Sequence, residues 1–262
     1  MSSACPTVST SIGMNSSPDP DPVPGIDTVR ARGVRSRVSV SSNEIPASTL
    51  PDSDPIGIDH LVYACRDLEE GVQHVSGLLG TEPVAGGTHP DWGTHNALLG
   101  LGPRCYLEVI APLPGSDPIE MGTPEVFFDH GTGRLTNWAL RVPDLEEYMG
   151  RQGELQPPLG KLMRGSRRRT DGALLAWILT DPAQRLLEGT APFLIDWLDS
   201  EHPARSMNAT CRLRCLRLTH PRPDSLEAHL TALGARELVE LGAGPRPEIR
   251  ALIAGPRGMV EI

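Results

Sequence analysis

Residues 59–80 read DHLVYACRDLEEGVQHVSGLLG. An apolar run, a short break, an acidic residue and then apolar positions at helical spacing mark a strand followed by a helix. Leu68, Val72, Val75, Leu78 and Leu79 form the stripe of one buried helix face. Asp67 stands just before them and Glu70 three residues later. In that pattern the aspartate accepts from a free amide of the first turn and the glutamate reaches back to the cap. One such cap is worth about 1 kcal/mol. Gly80 predicts the helix stop.

The pattern recurs in TNWALRVPDLEEYMGRQGEL (136–155) and LRCLRLTHPRPDSLEAHLTALGA (213–235). The acidic residues Asp67, Asp144 and Asp224 are 77 and 80 positions apart, each followed by Glu70, Glu147 or Glu227. One capping box is a weak signal; three behind apolar strands are a strong one. Three further strands are expected after each helix, separated by Gly, Pro and Asp-Gly turns. They are PVAGG, HNALLGL and CYLEVIA in the first unit, KLMRGS, ALLAWILT and PFLIDWL in the second, and RELVEL, EIRALIA and GMVEI in the third. The expected fold class is α+β: repeated βαβββ units forming cupped mixed β-sheets, with helices on the outer face.

Residues 1–55 differ from the rest. They hold twelve Ser and eight Pro and no Phe, Trp or Tyr. Such a segment buries too little apolar surface to offset its ordering entropy and is expected to be a disordered tail. VRARGVRSRVSVSS (29–42) has the Arg and Ser of an organelle transit signal, yet Asp19, Asp21 and Asp27 precede it. A solvated tail and a cytoplasmic location are the reading preferred, with organelle targeting left open. The net charge of -9 argues against nucleic-acid and anionic-membrane partners. No apolar run is long enough to span a bilayer. Five scattered cysteines suit a reducing compartment better than a disulfide framework. No Gly-x-Ser-x-Gly elbow and no phosphate-cradling Gly-Lys-Ser/Thr loop occur.

A βαβββ unit with a histidine on its first strand and a glutamate on its last resembles the vicinal oxygen chelate superfamily, and within it the glyoxalase-like domain family. IDHLVYACRDLEEGV (58–72), GTHNALLGLGPRCYLEVIAP (93–112), GSRRRTDGALLAW (165–177), PFLIDW (192–197) and GPRGMVEI (255–262) carry the resemblance. It implies a glyoxalase-like domain of two units over 56–200, followed by a third unit over 201–262. It also implies a cup that cradles a divalent metal (Zn, Mn, Fe(II) or Ni) against two oxygens of a small molecule. Superfamily reactions include hemithioacetal isomerisation, extradiol ring cleavage, epimerisation and thiol transfer to epoxides. Some members bind small molecules without metal or chemistry.

Strand alternation assigns residues to the cup. In CYLEVI, Leu107 and Val109 suit the helix-covered face, so Glu108 points inward; in DHLVY, Leu61 and Tyr63 put His60 beside it. In PFLIDWL, taking Phe193, Ile195 and Trp197 as the helix face leaves Asp196 inward. His60, Glu108 and Asp196 are thus the expected metal ligands, with Glu108 as the proton shuttle. A His60–Glu108 hydrogen bond in a water-filled cup explains the same pair without a metal. Trp138 is taken to match His60 in the second unit, where it cannot ligate; it is a ligand wall or plain core. His95 is a replacement ligand or, with Asn96, a substrate contact. Arg167 and Arg168, with Arg169, are an anion clamp or a solvated hairpin tip before Asp171-Gly172. Arg217 is expected to pair with Glu261, making a vestigial half-site of the third unit.

The function expected is a divalent-metal-dependent lyase, isomerase or dioxygenase acting on a small oxygenated molecule. The alternative is a metal-free protein that binds or sequesters a small molecule in the same cup. An interaction scaffold with a plugged cup is the third class. The odd number of units leaves the third either capping the first two or pairing with its copy in a homodimer, the arrangement preferred.

Overall fold

The computed structural model describes residues 56–117, 128, 131–151, 155–168, 172, 174–208 and 210–262. The expected tail over 1–55 and the turn residues Arg169 and Asp171 lie outside the described residues.

The first unit comprises β1 (Gly57–Ala64), α1 (Leu68–Leu79), β2 (Val84–His89), β3 (Thr94–Gly102) and β4 (Cys105–Pro112). The second comprises β5 (Arg134–Arg141), α2 (Leu145–Arg151), β6 (Leu162–Arg168), β7 (Leu174–Thr180) and β8 (Phe193–Asp196). Their strands make one eight-stranded sheet in the order β2-β3-β4-β1-β5-β8-β7-β6. That order is a palindrome. In each unit the strand before the helix pairs in parallel with the last strand, and β1 and β5 join the halves antiparallel.

The first two caps form as the sequence implies. Asp67 accepts from Glu70 N at 2.9 Å, and Asp144 from Glu147 N at 3.1 Å. The third is a correction. Pro223, whose fixed φ suits a first helical position, begins α3 (Pro223–Ala232), so Asp224 lies inside the helix and no side chain caps it. There its carboxylate still faces the favourable end of the helix dipole.

The third unit adds β9 (Arg212–His220), β10 (Glu240–Ala243), β11 (Glu248–Gly255) and β12 (Gly258–Glu261) around α3. Its element order matches the other units, but its pairing does not. The sheet runs β10-β9-β11-β12, so β9 lies between β10 and β11 rather than beside the last strand. Arg217 Nη1 meets Glu261 Oε1 at 2.6 Å, as expected, and Arg250 and Glu240 extend that pair across the sheet. The unit packs onto the other two within its own chain. Tyr148 Oη of α2 donates to Leu233 O at 2.7 Å, and Leu226, Leu230 and Ile253 join Val75, Leu79 and Leu145 in one core.

Leu61, Tyr63, Leu107, Val109, Trp138 and Leu194 face that core, between the eight-stranded sheet and the helices. The opposite, concave face carries its own set, including Val62, Tyr106, Phe193, Ile195 and Trp197. Both faces of the sheet are therefore apolar over much of their area. No described helix is long and apolar enough to cross a membrane.

Candidate functional site

The concave face encloses a cavity of about 200 Å³. Its floor is set by parity on the central strands. His60 and Val62 of β1, Tyr106 and Glu108 of β4, Asn96 of β3 and Phe193 of β8 all line it. His60 and Glu108 share the hollow, as alternation on β1 and β4 requires. Nε2 of His60 lies 3.7 Å from Oε2 of Glu108, too far for a hydrogen bond. The imidazole is held in place by stacking on Tyr106 at 4.7 Å and by the edge of Phe193 at 5.4 Å.

The pairing of β1 with β5 slips between Ile58 and His60, a bulge that breaks strict alternation. Asp59 is fully buried beside its neighbour. Oδ1 of Asp59 lies 2.7 Å from His60 Nδ1, and Oδ2 accepts from Trp197 Nε1 and His202 Nε2, each at 3.0 Å. The backbone amide of Ala204 donates to His202 Nδ1, so the His202 proton sits on Nε2 and points at the carboxylate. Burial opposes ionisation of Asp59, but the hydrogen bonds and charges of His202 and His60 outweigh it and hold the carboxyl well below the usual range. An ionised Asp59 puts a proton on His60 Nδ1 and turns Nε2 toward the cavity. Burial first, then the Asp59 and Glu108 charges, push the Tyr106 phenol far above its ordinary value.

Glu108 is fixed by an amide. Asn96 Nδ2 donates to Glu108 Oε1 at 2.5 Å, while Asn96 Oδ1 accepts from Gly87 N at 2.8 Å. A side chain on Gly86 would lie 2.1 Å from that oxygen, so only glycine leaves room for the contact. His89 lines the cavity beyond, its Nδ1 3.1 Å from Thr94 Oγ1. Burial lowers its pKa against the opposing pull of Glu108.

A profile of the glyoxalase-like domain matches residues 58–234. The chain belongs to the glyoxalase-like domain family. Its superfamily is the vicinal oxygen chelate group. A crystal structure of a hypothetical protein from Staphylococcus aureus shares the fold, with a TM-score of 0.56 at 13% identity over 76% of this chain and 91% of that one. Methylmalonyl-CoA epimerase from Mycobacterium tuberculosis is similar at 22% identity over 53% of this chain and 85% of that one, with a TM-score of 0.36. A methylmalonyl-CoA epimerase in complex with methylmalonyl-CoA and ammonium shares 17% identity over 57% of this chain and 100% of that one, with a TM-score of 0.38. Among curated proteins none matches.

The glyoxalase-like cup departs from the sequence expectations in its second half. Asp196 does not face the cavity. Its Oδ2 accepts from Leu145 N at the start of α2, and its Oδ1 from Leu198 N, at 3.1 and 2.8 Å. Phe193, Ile195 and Trp197 take the inward positions instead. Trp138 is likewise on the helix side, fully buried, donating Nε1 to Thr190 O at 2.8 Å. His60 lies seven residues before the capping Asp67, and Asn137 lies seven before Asp144. Asn137 is therefore the residue matching His60, and it lines the cavity. By the same register Val62 faces Glu108 and Ala139 faces Phe193, so Phe193 stands where a second glutamate would. His95 is not among the cavity-lining residues, whereas Arg167 is. Arg168 is exposed and donates to Gly172 O at 3.3 Å.

The donor set for a divalent metal is thus a pair. His60 Nε2 and Glu108 Oε2, 3.7 Å apart, can reach one ion with bonds of about 2.1 Å. Each has its remaining polar atom held by a second residue, the support that metal ligands need. Among the described residues no group of three His, Cys, Asp or Glu converges on one point. The cup fits a cation held by two side chains and completed by other oxygens, not a full protein cage. No described cysteine lines the cavity, and burial above all pushes the Cys65 and Cys105 thiols, on the helix side, up to about 12.

Proposed function

We propose that this glyoxalase-like protein is an enzyme of the lyase or isomerase type that moves a proton on a small oxygenated molecule held in the cup. One observation carries the reading: His60 Nε2 and Glu108 Oε2 face each other across 3.7 Å of cavity, each fixed from behind. An imidazole oriented by a buried carboxylate is a competent base, and a carboxylate with one oxygen engaged can hold or return the proton. Tyr106 and Phe193 hold the imidazole in its orientation. Where a divalent cation is present, His60 and Glu108 would hold it, and it would polarise two neighbouring oxygens of the substrate as a Lewis acid.

The test uses protein purified without a metal-affinity step. Elemental analysis gives the metal content, and proton exchange into deuterated solvent is followed by NMR for a panel of small 2-oxo and 2-hydroxy compounds. Exchange that His60→Ala and Glu108→Gln both abolish supports the proposal. Exchange that survives in both, or is absent throughout the panel, overturns it. Near-stoichiometric metal lost in His60→Ala assigns the cation to this pair.

The second reading, a metal-free binding protein, is favoured by the aromatic lining of the cup, where Trp177 and Trp197 lie 5.5 Å apart. It requires ligand-induced thermal stabilisation that chelators leave unchanged and no exchange in any compound.

A further inference from the structure

We propose that the cup selects small apolar molecules carrying one anionic group, carboxylate or phosphate, and that Arg167 is the anchor for that group. The inference rests on the reading of the cup as a substrate site and names the class of molecule that site takes.

The two edges of the eight-stranded sheet, β2 and β6, curve toward one another, and Arg167 of β6 spans them. Its Nη1 donates to Gly86 O of β2 at 3.0 Å. Gly87 makes the crossing feasible: a side chain there would lie 3.3 Å from both Cδ and Nη1 of Arg167. Several other arginines among the described residues are spent on carboxylates. Arg164 meets Glu146 at 2.6 Å, Arg236 meets Glu227 at 2.8 Å, and Arg250 meets Glu248 at 2.7 Å. Arg167 makes no ion pair with any described residue, although it lines the cavity. A guanidinium has five N–H donors, and one carbonyl leaves most of them to be satisfied inside the mouth. A partly desolvated cation without a counter-charge favours an anion, and arginine binds oxyanions through two parallel hydrogen bonds.

The other walls set the rest of the molecule. Val62, Leu98, Trp177, Phe193, Ile195 and Trp197 face the same space. An apolar cavity of roughly 150 Å³ accepts a benzene ring. The 200 Å³ here therefore has room for a ring-sized apolar body and one small polar group. Orientation follows from charge. Glu108 repels an anionic group and Arg167 attracts it, so the neutral, reactive end is directed to His60 and Glu108. The Arg167 charge reaches the floor of the cup: it acts on His89 and Tyr106, in addition to the burial that dominates both.

The experiment is isothermal titration calorimetry on the full chain with benzoate, phenyl phosphate and neutral benzamide at low and high salt. The anionic probes are expected to bind at least about tenfold more tightly than benzamide at low salt, and to lose that advantage at high salt. The better of the two anions identifies the group. Arg167→Gln should abolish the preference, and Arg168→Gln should leave it intact. Equal binding of charged and neutral probes overturns the anion assignment and leaves the cup as a binding site. Binding of none of the three overturns both. Should Arg167→Gln fail to fold, as read by circular dichroism, the salt dependence in the native chain decides alone: no change in preference with salt refutes the proposal.

Discussion

His202 donates Nε2–H to Asp59 Oδ2 at 3.0 Å, across 143 residues of chain. The segment after β8 thus returns to lock the bulge at the start of β1, and through it the orientation of His60. Removing a carboxylate buried under three donors leaves those donors unsatisfied. Asp59→Ala is expected to lower the unfolding free energy by about 3–5 kcal/mol, and His202→Leu by about 1–3 kcal/mol. Urea denaturation checks both; a loss below about 1 kcal/mol for Asp59→Ala would show that the network contributes little.

The same carboxylate gives the protein an acid limit. Its folded pKa lies below the unfolded value of about 3.9, so its stabilisation is complete above that value and is lost as pH falls toward the folded pKa. His89 and His229 add an earlier loss. Burial lowers both, so the unfolded chain binds protons that the folded one refuses, and stability declines as pH drops through the ordinary histidine range. Melting temperature against pH should fall in two stages, near 6.5 and again below about 4. Asp59→Asn should flatten the second stage only.

Gly165 of β6 faces the indole of Trp177, and a Cβ there would lie 2.4 Å from Cε2. Gly165→Ala must displace the ring into the cup. The expected cost is about 1–3 kcal/mol, with a shift in tryptophan emission and weaker probe binding. Unaltered emission and affinity would mean that Trp177 does not form this wall.

Trp138→Phe separates core from cup. It removes the hydrogen bond to Thr190 O and leaves a buried carbonyl without its donor, a loss of about 1–3 kcal/mol in urea denaturation. Probe affinity should be unchanged, because the ring lies behind the sheet. A fall in affinity at unchanged stability would contradict that placement.

The order of strands and helices was readable because each element carries its own local signal: apolar runs, helical stripes and capping aspartates. The faces of β1 and β4 were readable for a related reason, since Leu61 and Tyr63 mark the core face of β1 and Glu108 is the one charged residue of β4. β8 was not. Phe193, Leu194, Ile195 and Trp197 are apolar on both faces, because the cup wall is as hydrophobic as the core. Parity then has nothing to discriminate, and Asp196 reads as a ligand when it serves the amide of Leu145. Trp138 was misplaced by one residue, although the spacing from the capping aspartates already points to Asn137. The Asp59 network had no local signature at all, since its donors Trp197 and His202 come from a distant loop. The anion anchor was half visible: the run of arginines stood out, but only the curl of the sheet separates Arg167 from Arg168.

The different pairing of the last four strands limits what their shared element order implies. No rotation superposes a β10-β9-β11-β12 sheet on one whose first and last strands are neighbours. The first two units share one strand pairing, and the third has the same element order with a different one. The Arg217–Glu261 pair that counting along the chain points to does form, but its sheet does not set first and last strands side by side, so it is not a second copy of the His60–Glu108 arrangement.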